Sequence, residues 1–152
     1  MVNFSPATWW SINANTNLYH YKISAEIEGL MKTRKNVSWS SQMVNSLQLG
    51  KNTSFQIISY YQNRTVRSQG ELSSVFFVDM ALKRYFLDGR LSVNLQLKDV
   101  FQTSDVELYT ETENMRLVGD FNRESPIFRF NITYKLSNYK KKTKDVQTEF
   151  DM

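Results

Sequence analysis

His20 is the single histidine of a chain that has no cysteine. Thiolate chemistry and cysteine metal sites are therefore excluded, and a zinc ion at His20 would have to be completed by carboxylates alone. As a general base, His20 would need a serine to activate and Asp79 or Asp88 to orient it. No G-x-S-x-G turn is present to offer such a serine, and Tyr19 and Tyr21 on either side suit a rim position better. Asp79 with Lys98 and Lys83 has the composition of a proton relay or of a cross-strand pair, which contributes about 0.2–1 kcal/mol; the pair is the expectation. Trp9, Trp10, Tyr85 and Phe86 have the faces to stack a sugar ring or to form the aromatic girdle of a membrane interface, and the girdle is expected. Tyr109, Glu111, Glu113 and Arg116 are the loop residues placed to meet a ligand. The Asn-x-Ser/Thr sequons at Asn36, Asn52, Asn63 and Asn131 arise readily in a strand protein rich in these residues. No catalytic residue, cofactor or metal is expected.

The elements that carry these residues follow from composition and alternation. The 152 residues suffice for one domain, the net charge is +4 and aromatics make up 14%. Mean hydropathy is −0.48, so the aromatics belong to an otherwise polar chain. Apart from Lys140, Lys141, Lys142 and Lys144, the basic residues are scattered. A solvated tail over 139–152 is expected, and no nucleic-acid partner. No apolar run reaches the roughly 18 residues of a spanning helix, and the start MVNFSPATWW has no signal-peptide pattern.

Period-two alternation recurs instead of helical spacing. Phe76 to Asp99 reads as a hairpin turning at Asp88-Gly89, a dipeptide that tolerates the positive φ angles of a type I′ turn. A two-residue loop makes facing residue numbers sum to 177, so Leu82 faces Leu95, Met80 faces Leu97 and Asp79 faces Lys98. Phe76, Val78, Met80, Leu82, Leu91, Val93, Leu95 and Leu97 then share one side, and Asp79, Lys83, Ser92, Asn94, Gln96 and Lys98 the other. Other strands are expected at Trp9 to Ile23, Val37 to Leu49, Phe55 to Asn63 and Ile127 to Leu136. In the last, Phe128, Phe130, Ile132, Tyr134 and Leu136 alternate with Arg129, Asn131, Thr133 and Lys135. Leu49 is expected opposite Phe55, and Val106–Tyr109 and Met115–Val118 are expected to extend the flanking strands. Ser24 to Asn36 reads as a polar connection. Long and short links thus alternate, with the short turns and both termini on one rim, the layout of an outer-membrane barrel. The fold class is all-β: an antiparallel up-and-down meander of about six long strands over residues 1–138, part of a transmembrane barrel.

The segment SPIFRFNITYKLSN closely resembles the closing strand of TonB-dependent outer-membrane receptors, in the outer membrane protein beta-barrel family. Arg129, Thr133, Tyr134 and Lys135 match the family pattern, while Leu136 stands where an aromatic is usual. The hairpin resembles the family at Asp79, Ala81, Lys83, Phe86, Leu87 and Gly89, followed by Asp99-Val100-Phe101-Gln102-Thr103. SPATWWSINANTNLYHYKI is similar to an earlier family strand. The resemblance implies import of a bulky nutrient in a Gram-negative outer membrane, powered by the TonB complex. It implies as partners the membrane lipid, a plug and the rest of the barrel. Such receptors have about 22 strands, and neither the plug nor the TonB-contacting box has a counterpart here, so a C-terminal portion inactive by itself is expected. A small soluble barrel enclosing an apolar ligand, lipocalin-like, is the alternative; an outer-membrane hydrolase is a more distant one.

Overall fold

The alternation becomes extended chain almost throughout. The computed structural model describes residues 1–27, 29–68, 70–111 and 115–136, and the tail from 137 onward and Glu113 lie outside them. Its strands are β1 Val2–Ala7, β2 Trp10–Ile27, β3 Leu30–Gln48, β4 Thr53–Gln62, β5 Thr65–Arg67, β6 Gly70–Leu72, β7 Val75–Phe86, β8 Leu91–Lys98, β9 Val106–Glu111, β10 Arg116–Phe121 and β11 Ile127–Tyr134. A seven-stranded sheet runs β1-β2-β3-β4-β7-β8-β11, and a second, four-stranded sheet runs β10-β9-β6-β5. The main sheet is an antiparallel meander, each strand pairing with the next of its sheet along the chain. It holds one strand more than the sequence suggests, because Val2–Ala7 turns back on β2.

The central hairpin has the register that its turn requires. Met80 faces Leu97, Leu82 faces Leu95 and Phe86 faces Leu91. Asp88 and Gly89 take φ angles of 53° and 83°, and the Arg90 N–H donates to the Leu87 carbonyl at 3.0 Å. The ladder ends at Met80–Leu97, one pair short of the expected Asp79–Lys98. The β3–β4 pairing is corrected by two residues. Leu47, not Leu49, faces Phe55, because the Leu49 N–H already donates to the Thr53 carbonyl at 2.8 Å and shortens the turn at Gly50. A shift of two keeps every side chain on its own face.

Three further expectations are corrected. Ser24 to Asn36 is not a connection: β2 and β3 continue through it as a paired ribbon, down to Ile27 opposite Leu30. The strands have 18 and 19 residues, about twice the 9 to 11 that a tilted strand needs to cross a bilayer. Val106–Tyr109 and the segment from Arg116 do form strands, yet they build the second sheet rather than prolong β8 and β11. Val2 lies opposite Ala14, partway up β2, so the chain begins away from the rim of short turns. Tyr134, opposite Leu91, does lie at that rim.

Direct pairing puts facing residues on one side of a sheet, which divides the main sheet into two continuous faces. One carries Ile12, Leu18, Trp39, Leu47, Phe55, Ile57, Tyr61, Met80, Leu82, Leu95, Phe130 and Ile132. Three of its polar members are tied to neighbours. Thr16 and Ser41 share a 3.1 Å hydrogen bond, and Asn45 accepts from Trp10 Nε1 at 3.3 Å. Toward the ribbon this apolar band stops at Lys22 opposite Lys35, a pair that hydrocarbon would not tolerate. The other face is largely polar, with Asn13, Asn15, Asn17, Gln42, Ser46, Gln56, Lys83, Asn94, Gln96, Arg129 and Asn131, and is interrupted by Val44 opposite Ile58 and Tyr60 opposite Phe77.

Among the described residues no closed core joins the apolar face to another layer. Among the described residues Val78 alone is a buried hydrophobic side chain, whereas Phe128, Phe130 and Ile132 are 65%, 54% and 59% exposed. Soluble monomers seldom expose apolar patches beyond a few hundred Å², and a lipocalin-like barrel would enclose these side chains.

Candidate functional site

β7, β8 and β11 bring Asp79, Lys98 and Arg129 to the polar face, where they line a cavity of about 220 Å3 with Phe77, Asp99 and Ser104. A neighbouring hollow of about 250 Å3 adds Gln56 and Gln96. Lys83 is a full four residues down β7 and borders neither. Asp79 is not engaged as a cross-strand partner of Lys98. Its Oδ1 accepts the Asp99 N–H at 2.9 Å, because Asp99 takes a φ of 51° and bends the chain as β8 ends.

Asp99 is the centre of a bracket. Its carboxylate accepts from the Thr103 N–H at 2.9 Å, the Ser104 N–H at 3.2 Å and the Ser104 hydroxyl at 2.6 Å. The Thr103 hydroxyl donates to the Phe76 carbonyl at 2.7 Å, and the Val100 N–H to the Val78 carbonyl at 2.9 Å. Asp99-Val100-Phe101-Gln102-Thr103 is thus a device that closes the hairpin's open end. Burial pushes the Asp99 carboxyl upward, but hydrogen bonds from Ser104, Thr103 and Ser125 outweigh it and hold the group below the ordinary aspartate value. Donors that favour the charged form act in that direction.

His20 is exposed on the apolar face opposite Val37, whereas Asp79 is on the polar face and Asp88 is in the turn at the far rim. No triad assembles. Among the described residues no cluster of three His, Cys, Asp or Glu could hold a metal. The four rim aromatics do not act as one unit. Trp9 and Trp10 stack at 6.2 Å, but β3 and β4 separate them from Tyr85 and Phe86, about 14 Å at strand spacing. Phe86 belongs to the apolar face, with Arg84 5.2 Å from its ring. Tyr85 departs from the girdle: it faces Ser92 on the polar side, with the Lys83 ammonium 4.9 Å away. Asn63 is a structural clamp, accepting from Ser38 Oγ at 3.1 Å and Trp39 N–H at 2.8 Å and donating to the Val37 carbonyl at 3.2 Å.

The second sheet lies over the polar side of the ribbon. The Tyr21 hydroxyl donates to the Val66 carbonyl at 2.8 Å, and Asn36 Nδ2 donates to the Arg64 carbonyl at 3.5 Å. Between them is a cleft of about 340 Å3 lined by Arg34, Arg64, Gly70, Glu71, Tyr109 and Arg116. Of the expected loop residues it unites Tyr109 and Arg116. Glu111 faces Arg116 in the backbone register, and Glu113 lies outside the described residues. Arg64 pairs with Glu71 at 3.2 Å. The Tyr109 hydroxyl donates to the Glu107 carboxylate, which raises the phenol above its ordinary range. Gly70 is required here, since a Cβ would stand 2.1 Å from the Tyr109 carbonyl oxygen. Sequence reasoning missed Arg34 and Arg64; they meet Arg116 only through the ribbon and the second sheet, and no local motif marks them.

A family model described as "Outer membrane protein beta-barrel family" matches residues 1–134. No curated protein and no solved structure matches the chain.

Proposed function

The chain belongs to the outer membrane protein beta-barrel family, and from that premise we propose that it is a wall segment of a TonB-dependent receptor of a Gram-negative bacterium. The whole receptor would import a bulky nutrient. This segment would contribute lipid-facing surface, lumen lining and loop structure, and no catalysis. The observation that carries the reading is the one-sided sheet, apolar on one face, polar on the other, and without a closed core. The run from Phe76 to Phe86 is about 33 Å long at roughly 3.3 Å per residue. Tilted by about 40°, it rises about 25 Å, the height of the apolar band of an outer-membrane barrel. Support for the receptor class comes from the resemblance at Arg129, Thr133 and Tyr134 and at the Asp99 bracket.

The sheet's edges bear on its partner. β1 and β11 are its end strands, and neither has an outer neighbour among the described residues. In a meander of seven strands the first and last run the same way. Joining them directly would give a parallel seam, whereas bacterial outer-membrane barrels are antiparallel with an even strand count. An odd number of further strands would complete the wall. Unpaired edge groups in hydrocarbon cost several kcal/mol each. Expressed with an export signal, these 152 residues should enter the membrane fraction but leave liposomes impermeable to small solutes. A monomeric, heat-modifiable pore made from this chain alone would refute the wall-segment reading.

A further inference from the structure

We propose that the cleft between the second sheet and the β2–β3 ribbon binds a compact oxyanion, a phosphate- or carboxylate-bearing ligand, through Arg34, Arg64 and Arg116. The proposal deepens the receptor reading by naming a ligand class, and it rests on that reading only for the side from which the ligand arrives.

Three segments distant in sequence converge here: Arg34 from β3, Arg64 from the link after β4, and Arg116 from the start of β10. Three guanidinium groups around one hollow repel one another unless an anion lies among them. Among the described residues Arg34 and Arg116 form no ion pair, and the Arg64–Glu71 contact is half-exposed, at 66% and 36%. Exposed pairs of that kind hold their partners weakly, so Arg64 can turn to a ligand. The nearby Glu107 carboxylate is occupied by the Tyr109 hydroxyl, and Asp120 also acts on that phenol. Among the cleft's own lining residues three cations face the single carboxylate of Glu71.

Shape agrees with charge. Gly70 brings bare backbone to the wall of the cleft, and the volume of about 340 Å3 is at the small end of ligand pockets. Guanidinium groups present paired N–H donors that match the oxygens of phosphate and carboxylate. The cleft also opens on the same side of the sheet as Asp79, Lys98 and Arg129, so a bound anion would be held at the loop end of a polar, partly cationic wall.

The full chain, folded in zwitterionic micelles, would be titrated calorimetrically with inorganic pyrophosphate and with citrate. A parallel titration would use micelles doped with phosphatidic acid, to separate a soluble source of the anion from a lipid headgroup. Saturable binding is expected in at least one arm, at least tenfold weaker in the Arg34→Gln/Arg116→Gln double variant. Glu71→Gln, which removes the competing carboxylate, should tighten it, a result that general loss of structure would not give. Retained β-sheet circular dichroism would establish that the variants fold. No saturable binding by the folded parent, or equal binding by a folded double variant, would overturn the proposal. Either result would leave the sheet's place in the membrane untouched.

Discussion

Asp99 is the residue on which the open end of the central hairpin depends. Its carboxylate serves two backbone N–H groups and a hydroxyl, with Asp99 and Ser104 themselves buried. Replacing it by alanine strands those donors, a loss of about 1–3 kcal/mol. The pH dependence follows from the lowered carboxyl. Its stabilisation is fully present above the unfolded aspartate value of about 3.9 and is lost as pH falls through the lower folded value. Hydrogen-exchange protection of the Thr103 and Ser104 amides, taken relative to the intrinsic exchange rate at each pH, should therefore be high at neutral pH and fall below about pH 4. Asp99→Asn should abolish that pH dependence; protection that is flat with pH in the parent would count against the bracket. The sequence displays the Asp99–Thr103 motif only as a resemblance, because its purpose depends on Asp79 and Phe76, twenty and twenty-seven positions before the residues they bind. Arg34 and Arg64 were illegible for a similar reason: isolated arginines carry no spacing signal until a fold unites them.

Strand pairing is where the sequence was most and least readable. Asp88-Gly89 fixes the register of the central hairpin because few dipeptides accept two successive positive φ angles. The β3–β4 turn has no such constraint, so alternation alone leaves registers differing by two equally acceptable. The ribbon was hidden because Lys22, Arg34 and Lys35 make both of its faces polar once it leaves the apolar band. β5 and β6, with three residues each, are too short to show any period. The absence of native cysteine permits a direct check. Leu82→Cys with Leu95→Cys and Leu47→Cys with Phe55→Cys should each cross-link under mild oxidation. Leu82→Cys with Asn94→Cys, which lie on opposite faces, should not, and Leu49→Cys with Phe55→Cys should cross-link poorly. Preferential linkage of Leu49→Cys with Phe55→Cys would restore the longer turn.

At the scale of the whole molecule, the wall segment proposed above turns one face of the main sheet to lipid and the other to an aqueous lumen. The all-β meander was legible because alternation persists for most of the chain, and its faces survived even where a register was misjudged. Among the described residues β1 and β11 have no outer neighbour, an edge that depends on long-range pairing and so leaves no mark in the local alternation. The most direct measurement places single spin labels in turn at positions 91 to 98 of the full chain in lipid bilayers and compares their collisions with oxygen and with a water-soluble nickel chelate. Labels at Leu91, Val93, Leu95 and Leu97 should be oxygen-accessible and shielded from nickel. Those at Ser92, Asn94, Gln96 and Lys98 should show the reverse, giving a period of two with this phase. Accessibility without alternation, or alternation of the opposite phase, would overturn this assignment of the two faces.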